Sequence, residues 1–237
     1  MAQDELDRLD TTIDSIIKRI KDAASHSKYV KFEDITLVAV SKTVSPQAIS
    51  QAYSKGLRVF GENYVQNIRN KSQEIPDIAN KISWHMIGHL QKNKAGAAVK
   101  YFDLIHTVDS TSLAYEIDKK AGQIGKSQRI LIQIKMDDEP SKKGASLDDL
   151  FTILKDTKEY KNIKIEGLMV IPPFFPDQEV VRPYFKRLRE LRDEAINSGY
   201  ILKELSMGMS NDFETAIAEG ATMIRIGTAL FGERKYI

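Results

Sequence analysis

Lys42 closes an otherwise apolar, β-branched run at residues 35–42 (ITLVAVSK). An ammonium at the end of a buried strand is costly to desolvate, and burial lowers its pKa toward the neutral amine that can attack a carbonyl. The plainer alternative is a lysine whose stem lies on apolar surface while its head reaches the rim. A second cluster, Arg225-Ile226-Gly227-Thr228, ends another β-branched run. Period-two alternation puts Arg225 and Gly227 on one face, where the glycine lets a backbone N–H approach an anion closely. Just upstream, Ser206-Met207-Gly208-Met209-Ser210 offers two hydroxyls and a following helix N-terminus, which suit a phosphate dianion. Against this, Gly208 and Gly227 could relieve crowding and the serines could be caps. An amine and a phosphate cradle at one site suit a phosphorylated aldehyde held as an imine. Pyridoxal 5'-phosphate meets that description, and so does a sugar phosphate in a lysine-dependent aldolase.

Other chemistry-bearing patterns carry less. His85 and His89 are spaced as a metal pair would be on one helix, but Gly88 divides a strand end from a helix start, so the two rings are not expected to face one ion. Gly125-Lys126-Ser127 resembles the end of a phosphate loop. Its upstream glycine, Gly122, stands three residues before Gly125 where the motif needs five, so a surface turn is expected. Met207, Met209 and Met223 read as core filler. The Lys92, Lys94 and Lys100 cluster reads as a solvated helix face rather than a nucleic-acid contact.

These residues need elements to hold them at one place. Residues 1–27 set Leu6, Leu9, Ile13, Ile16, Ile17 and Ile20 at helical spacing, the pattern of an amphipathic helix. Eight short β-branched runs follow, at residues 35–42, 57–62, 82–88, 102–109, 129–136, 164–171, 202–208 and 222–227. Longer helix-compatible stretches separate them. Ser45-Pro46 and Ser110-Thr111 are helix starts, Asn211 with Glu214 reads as another, and residues 179–198 form the longest helix of the repeat. Parallel strands need crossover helices, and a count of eight favours closure into a single α/β domain, a (β/α)8 TIM-type barrel over residues 35–232 with the N-terminal helix as an addition. In such a barrel, chemistry gathers at the C-terminal ends of the strands. That rule selects Ser41, Lys42, Glu62, Asn63, His85, Thr107, Asp109, Lys135, Met169, Ser206, Ser210, Arg225, Gly227 and Thr228.

Composition narrows the function classes. The 237 residues contain no cysteine, which excludes disulfides, thiolate metal sites and cysteine nucleophiles. With 35 Lys+Arg against 33 Asp+Glu the chain has no strong field for nucleic acid or anionic membrane. The longest nearly charge-free apolar stretch, residues 167–176, is far shorter than the roughly 20 residues of a spanning helix. Four acids within residues 1–10 are unlike a targeting segment, so a cytoplasmic location is expected.

The segments 37–42 (LVAVSK), 60–67 (FGENYVQN), 84–94 (WHMIGHLQKNK), 105–110 (IHTVDS), 167–172 (GLMVIP), 205–212 (LSMGMSND) and 225–232 (RIGTALFG) together resemble the pyridoxal phosphate homeostasis protein family, relatives of the N-terminal barrel of alanine racemase. The resemblance implies that Lys42 bonds pyridoxal 5'-phosphate as a lysine Schiff base. It implies phosphate contacts from Ser206 or Ser210 and from the backbone at Gly227 and Thr228, with Arg225 facing the pyridine nitrogen. Asn63, His85 and Met169 would line the ring pocket. Lys135 departs from the asparagine common in the family, and residues 173–185 follow no single family pattern. The expected function is a non-catalytic carrier active in intracellular pyridoxal phosphate supply, with the cofactor and cofactor-requiring apo-enzymes as partners, neither nucleic acid nor membrane, and a monomeric state. A racemase is the alternative, but it would need a second base, which alanine racemase takes from a further domain that this sequence is not expected to supply. A lysine Schiff-base aldolase is the other.

Overall fold

The eight β-branched runs form eight parallel strands, β1 (Thr36–Val40), β2 (Val59–Glu62), β3 (Ser83–Met86), β4 (Leu104–Val108), β5 (Gln128–Ile134), β6 (Ile163–Val170), β7 (Glu204–Ser206) and β8 (Met223–Ile226). They pair in sequence order, and β8 pairs back onto β1 to close the barrel. This computed structural model describes residues 3–136 and 143–233. The helices are α1 (Gln3–Ser25), α2 (Pro46–Ser54), α3 (Val65–Glu74), α4 (Pro76–Ala79), α5 (Ala95–Tyr101), α6 (Thr111–Gln123), α7 (Leu147–Asp156), α8 (Gln178–Asn197), α9 (Phe213–Ala218) and α10 (Thr228–Phe231).

Local chemistry explains most boundaries. Ser45 and Ser110 cap α2 and α6 by accepting the N–H of Ala48 and Leu113, each at 3.3 Å. On α1 the residues Leu9, Ile13, Ile16 and Ile20 are buried, and the helix lies against α2, α9 and α10. One start differs from expectation. The helix after β7 is capped one residue later than expected: Asp212 rather than Asn211 takes the N-cap position, the helix begins at Phe213, and the Asp212 carboxylate accepts the Met209 N–H instead of a helical N–H. Lys126 reaches across the expected surface turn to donate to Val99 O at 2.7 Å and Phe102 O at 2.6 Å. It thus closes the C-terminal end of α5, where a cation is favoured, and burial lowers its pKa. Pro140, in the polar loop expected after the run at residues 129–136, lies outside the described residues. Among the described residues no helix is long and apolar enough to cross a membrane.

Alternation along the strands divides the barrel interior into two levels. Val38, Leu104, Leu131, Met169 and Met223 form a buried apolar cluster inside the barrel. Two residues further along their strands, Leu104 gives way to His106 and Met223 to Arg225, so the next level toward the C-terminal mouth is polar. Side chains in such an interior meet across the lumen, not only along neighbouring strands.

Candidate functional site

A cleft of about 400 Å³ opens at the C-terminal ends of the strands, its wall running from Val40, Lys42 and Asn63 to Ile171, Phe174, Ser210, Asp212, Arg225, Gly227 and Thr228. The volume is in the range of small-molecule and cofactor sites. Lys42 stands two residues beyond β1 and is half-buried.

The chain beneath Lys42 is fixed by a buried network. Glu62, at the end of β2 with a fully buried side chain, accepts the Ser41 hydroxyl at 2.6 Å and the Asn67 amide at 3.1 Å, and pairs with the Lys71 ammonium at 2.7 Å. Lys71 also donates to Ser41 O, and Asn67 donates to Lys42 O at 3.4 Å. Both carbonyls next to the Lys42 Cα are therefore tied to α3. Asn63 is set by packing: a Cβ on Gly88 would come within 2.5 Å of Asn63 O, so only glycine admits the Asn63 backbone there.

On the opposite side Arg225 is buried, donating from Nη1 to Ser206 Oγ at 2.6 Å and from Nη2 to Val170 O at 2.8 Å. Burial lowers its pKa to about 10, with Asp212 acting the other way. Among the described residues no carboxylate lies within ion-pair distance of this guanidinium. Ser206 in turn meets His106 Nδ1 at 2.9 Å, and His106 Nε2 meets His85 Nδ1 at 2.9 Å. Burial, followed by the charge of Arg129, lowers the His85 pKa to about 3. Burial first, then His85, Arg225 and Arg129, holds His106 far below the ordinary imidazole value. Burial raises the pKa of Asp212, which the Met209 N–H and Arg225 partly offset.

Between these sides lies a cradle of small groups. Ser210 Oγ accepts the Ala229 N–H at 3.1 Å, and a Cβ on Gly227 would meet Val40 Cβ at 3.3 Å, so the wall there is backbone.

The structure thus brings Lys42, Asn63, Ser210, Arg225, Gly227 and Thr228 to one cleft. Ser206, His85 and Met169 are buried and are not part of its wall; Ser206 and His85 lie behind Arg225, and Met169 belongs to the apolar level. Lys135 is not on the wall either, its N–H being bonded to Ala145 O at 2.8 Å. His89 is exposed, 3.9 Å from Asp109, while His85 faces His106, so the two histidines serve different surroundings. Lys71 and Asn67 escape sequence reasoning because they sit in a polar helix with no periodic marker. His106 does leave a signal, a polar residue at an inward position of the apolar run LIHTV.

Residues 12–235 match the family model of the alanine racemase N-terminal domain. The chain is 46% identical over 201 residues to the pyridoxal phosphate homeostasis protein of Aquifex aeolicus, covering 84% of this chain and 87% of that one. It belongs to the pyridoxal phosphate homeostasis protein family. The family member of Pseudomonas aeruginosa is 39% identical over 202 residues, covering 85% of this chain and 86% of its own. PipY of Synechococcus elongatus PCC7942, solved with PLP bound, superposes with a TM-score of 0.81 at 39% identity, over 92% of this chain and 100% of PipY.

Proposed function

We propose that the chain is a carrier of pyridoxal 5'-phosphate that holds the cofactor at Lys42 and serves its intracellular supply. The single observation that carries the reading is Arg225, a buried cation without a carboxylate partner among the described residues, on the wall of the cleft that also receives Lys42. A group of that kind awaits an acceptor from a ligand, since an unpaired buried charge is costly. The cradle fits the same group: Ser210 and the backbone at Gly227 and Thr228 suit a phosphate where a larger side chain would fill the space. PipY, bound to PLP, supports the reading by likeness.

When bound, the cofactor supplies a reactive aldehyde and an electron-drawing pyridine ring. Lys42 would hold the aldehyde through its amine, and the braced Ser41 and Lys42 carbonyls keep its backbone in register. Ser210, Gly227 and Thr228 would hold the phosphate. Arg225, cationic at neutral pH, would lie toward the ring nitrogen and discourage its protonation, which would weaken the ring as an electron sink. That arrangement favours storage over turnover. Among the described residues, moreover, the cleft wall carries no imidazole or phenol to serve as a second base, and its carboxylate, Asp212, is occupied by the Met209 N–H.

Purified protein mixed with pyridoxal phosphate should turn yellow, lose the visible band on borohydride reduction and carry the cofactor mass on Lys42. Lys42→Ala should stay colourless on reduction while retaining weak phosphate-dependent binding. A wild-type protein that takes up no pyridoxal phosphate would overturn the proposal. Racemisation of an amino-acid panel at rates typical of racemases would replace the carrier with an enzyme.

A further inference from the structure

Four buried polar side chains from four different strands form a line behind the cleft: Arg225 of β8, Ser206 of β7, His106 of β4 and His85 of β3. Hydrogen arithmetic orients the line. Arginine can only donate, so Ser206 Oγ accepts at 2.6 Å. The single hydroxyl hydrogen of Ser206 then has one acceptor within reach, His106 Nδ1 at 2.9 Å. A neutral His106 must therefore carry its hydrogen on Nε2, which donates to His85 Nδ1 at 2.9 Å. The reverse tautomer would leave the Ser206 hydrogen buried without an acceptor, a costly arrangement. Every hydrogen in the line thus points from Arg225 toward His85, and each dipole presents its negative end to the guanidinium. Bonds aligned in this way reinforce one another.

A buried arginine is ordinarily neutralised by a carboxylate, which would satisfy its donors and cancel its charge together. Here Ser206, at the head of the neutral line, and the Val170 carbonyl satisfy two donors and leave the charge. Arg225 keeps its remaining N–H groups for the cleft whose wall it forms.

We propose that His106, which lies outside the cleft, is a positioning residue: through Ser206 it holds Arg225 oriented and cationic with neutral acceptors, reserving that charge for the ligand's ring nitrogen. The part concerning the ligand rests on the reading of the cleft as a pyridoxal phosphate site; the tautomer does not. The buried, neutral state of both rings agrees with it.

Two measurements test the assignment. In ¹⁵N-labelled protein without cofactor, the His106 nitrogen shifts at neutral pH should report a bare Nδ1 and a protonated Nε2. A hydrogen on Nδ1, or an imidazolium, would overturn it. In titrations with pyridoxal phosphate, His106→Leu should bind on the order of tenfold more weakly and with a displaced visible band, because the ring nitrogen senses Arg225. His106→Asn, whose amide oxygen can still accept from Ser206, should restore most of both. A folded His106→Leu with wild-type affinity and spectrum would refute the positioning role; were that variant not to fold, an Asn variant with a band as displaced as that of Arg225→Met would refute it equally. Failure of the wild type to take up cofactor would instead strike the reading of the cleft and the ligand part together, with the nitrogen shifts still deciding the orientation of the line.

Discussion

The barrel buries two cations near its mouth and treats them in opposite ways. Lys71 sits 2.7 Å from Glu62, and the pair is nearly sealed, with side-chain exposures of 12% and 0%. Arg225, deeper still, meets a hydroxyl, a carbonyl and, behind them, two neutral imidazoles. A cation given a carboxylate is spent on the protein's own geometry, here the carbonyls flanking Lys42. A cation given only neutral acceptors retains its field for whatever enters the cleft. The contrast separates scaffold from site more sharply than burial does, because both groups are buried.

Acid should attack the Arg225 side first and most strongly. His85 and His106 have folded-state pKa values below that of a free imidazole, His85 at about 3, chiefly because burial disfavours the charged ring. The unfolded chain therefore binds protons that the folded chain refuses. The stability held by the pair is fully present above about pH 6.5 and is lost as pH falls toward the folded values, with His85 alone accounting for about 4 kcal/mol by pH 3. Urea titrations over this range should show the loss, and His106→Asn should make it shallower; an unchanged slope would contradict the neutral line.

Lys71→Met strands the Glu62 carboxylate and should cost about 3 to 5 kcal/mol of stability, whereas Lys71→Met with Glu62→Gln should recover a large part. Chemical denaturation of the single and double variants measures this. Arg225→Met strands no anion, so its stability should change by less than about 1 kcal/mol while pyridoxal phosphate binding weakens by about 2 kcal/mol, some 30-fold. Were Arg225→Met to unfold the protein and Lys71→Met to spare it, the distinction between the two cations would be reversed. The smallest effect is expected for Gly227→Ala. Its Cβ would lie 3.3 Å from Val40 Cβ, a tight fit that should cost about 1 kcal/mol or less in stability and a few-fold in cofactor affinity by fluorescence titration.

Much of this molecule is legible before any coordinates. The eight runs and the intervening helices follow from periodicity, caps and prolines, which act over a few residues and are written where they act. Ser45-Pro46 and Ser110 start α2 and α6 as their types require. Asn211 misleads by one residue because Asp212 takes the cap and turns its carboxylate back to Met209, a choice made by the loop rather than by the helix. Lys42, Asn63, Ser210, Arg225, Gly227 and Thr228 are readable as mouth residues because each follows or ends a strand, and a barrel collects strand ends on one face.

The sequence by itself determined the barrel and which residues could reach its mouth. The tertiary structure alone decided which of them face the cleft and that His106 meets a serine 100 positions away. The reason is closure. Inward side chains of a barrel find their partners across the lumen, between strands far apart along the chain, and desolvation then sets whether each group is paired, neutral or left charged. No local pattern encodes that environment, since it exists only once β8 has joined β1.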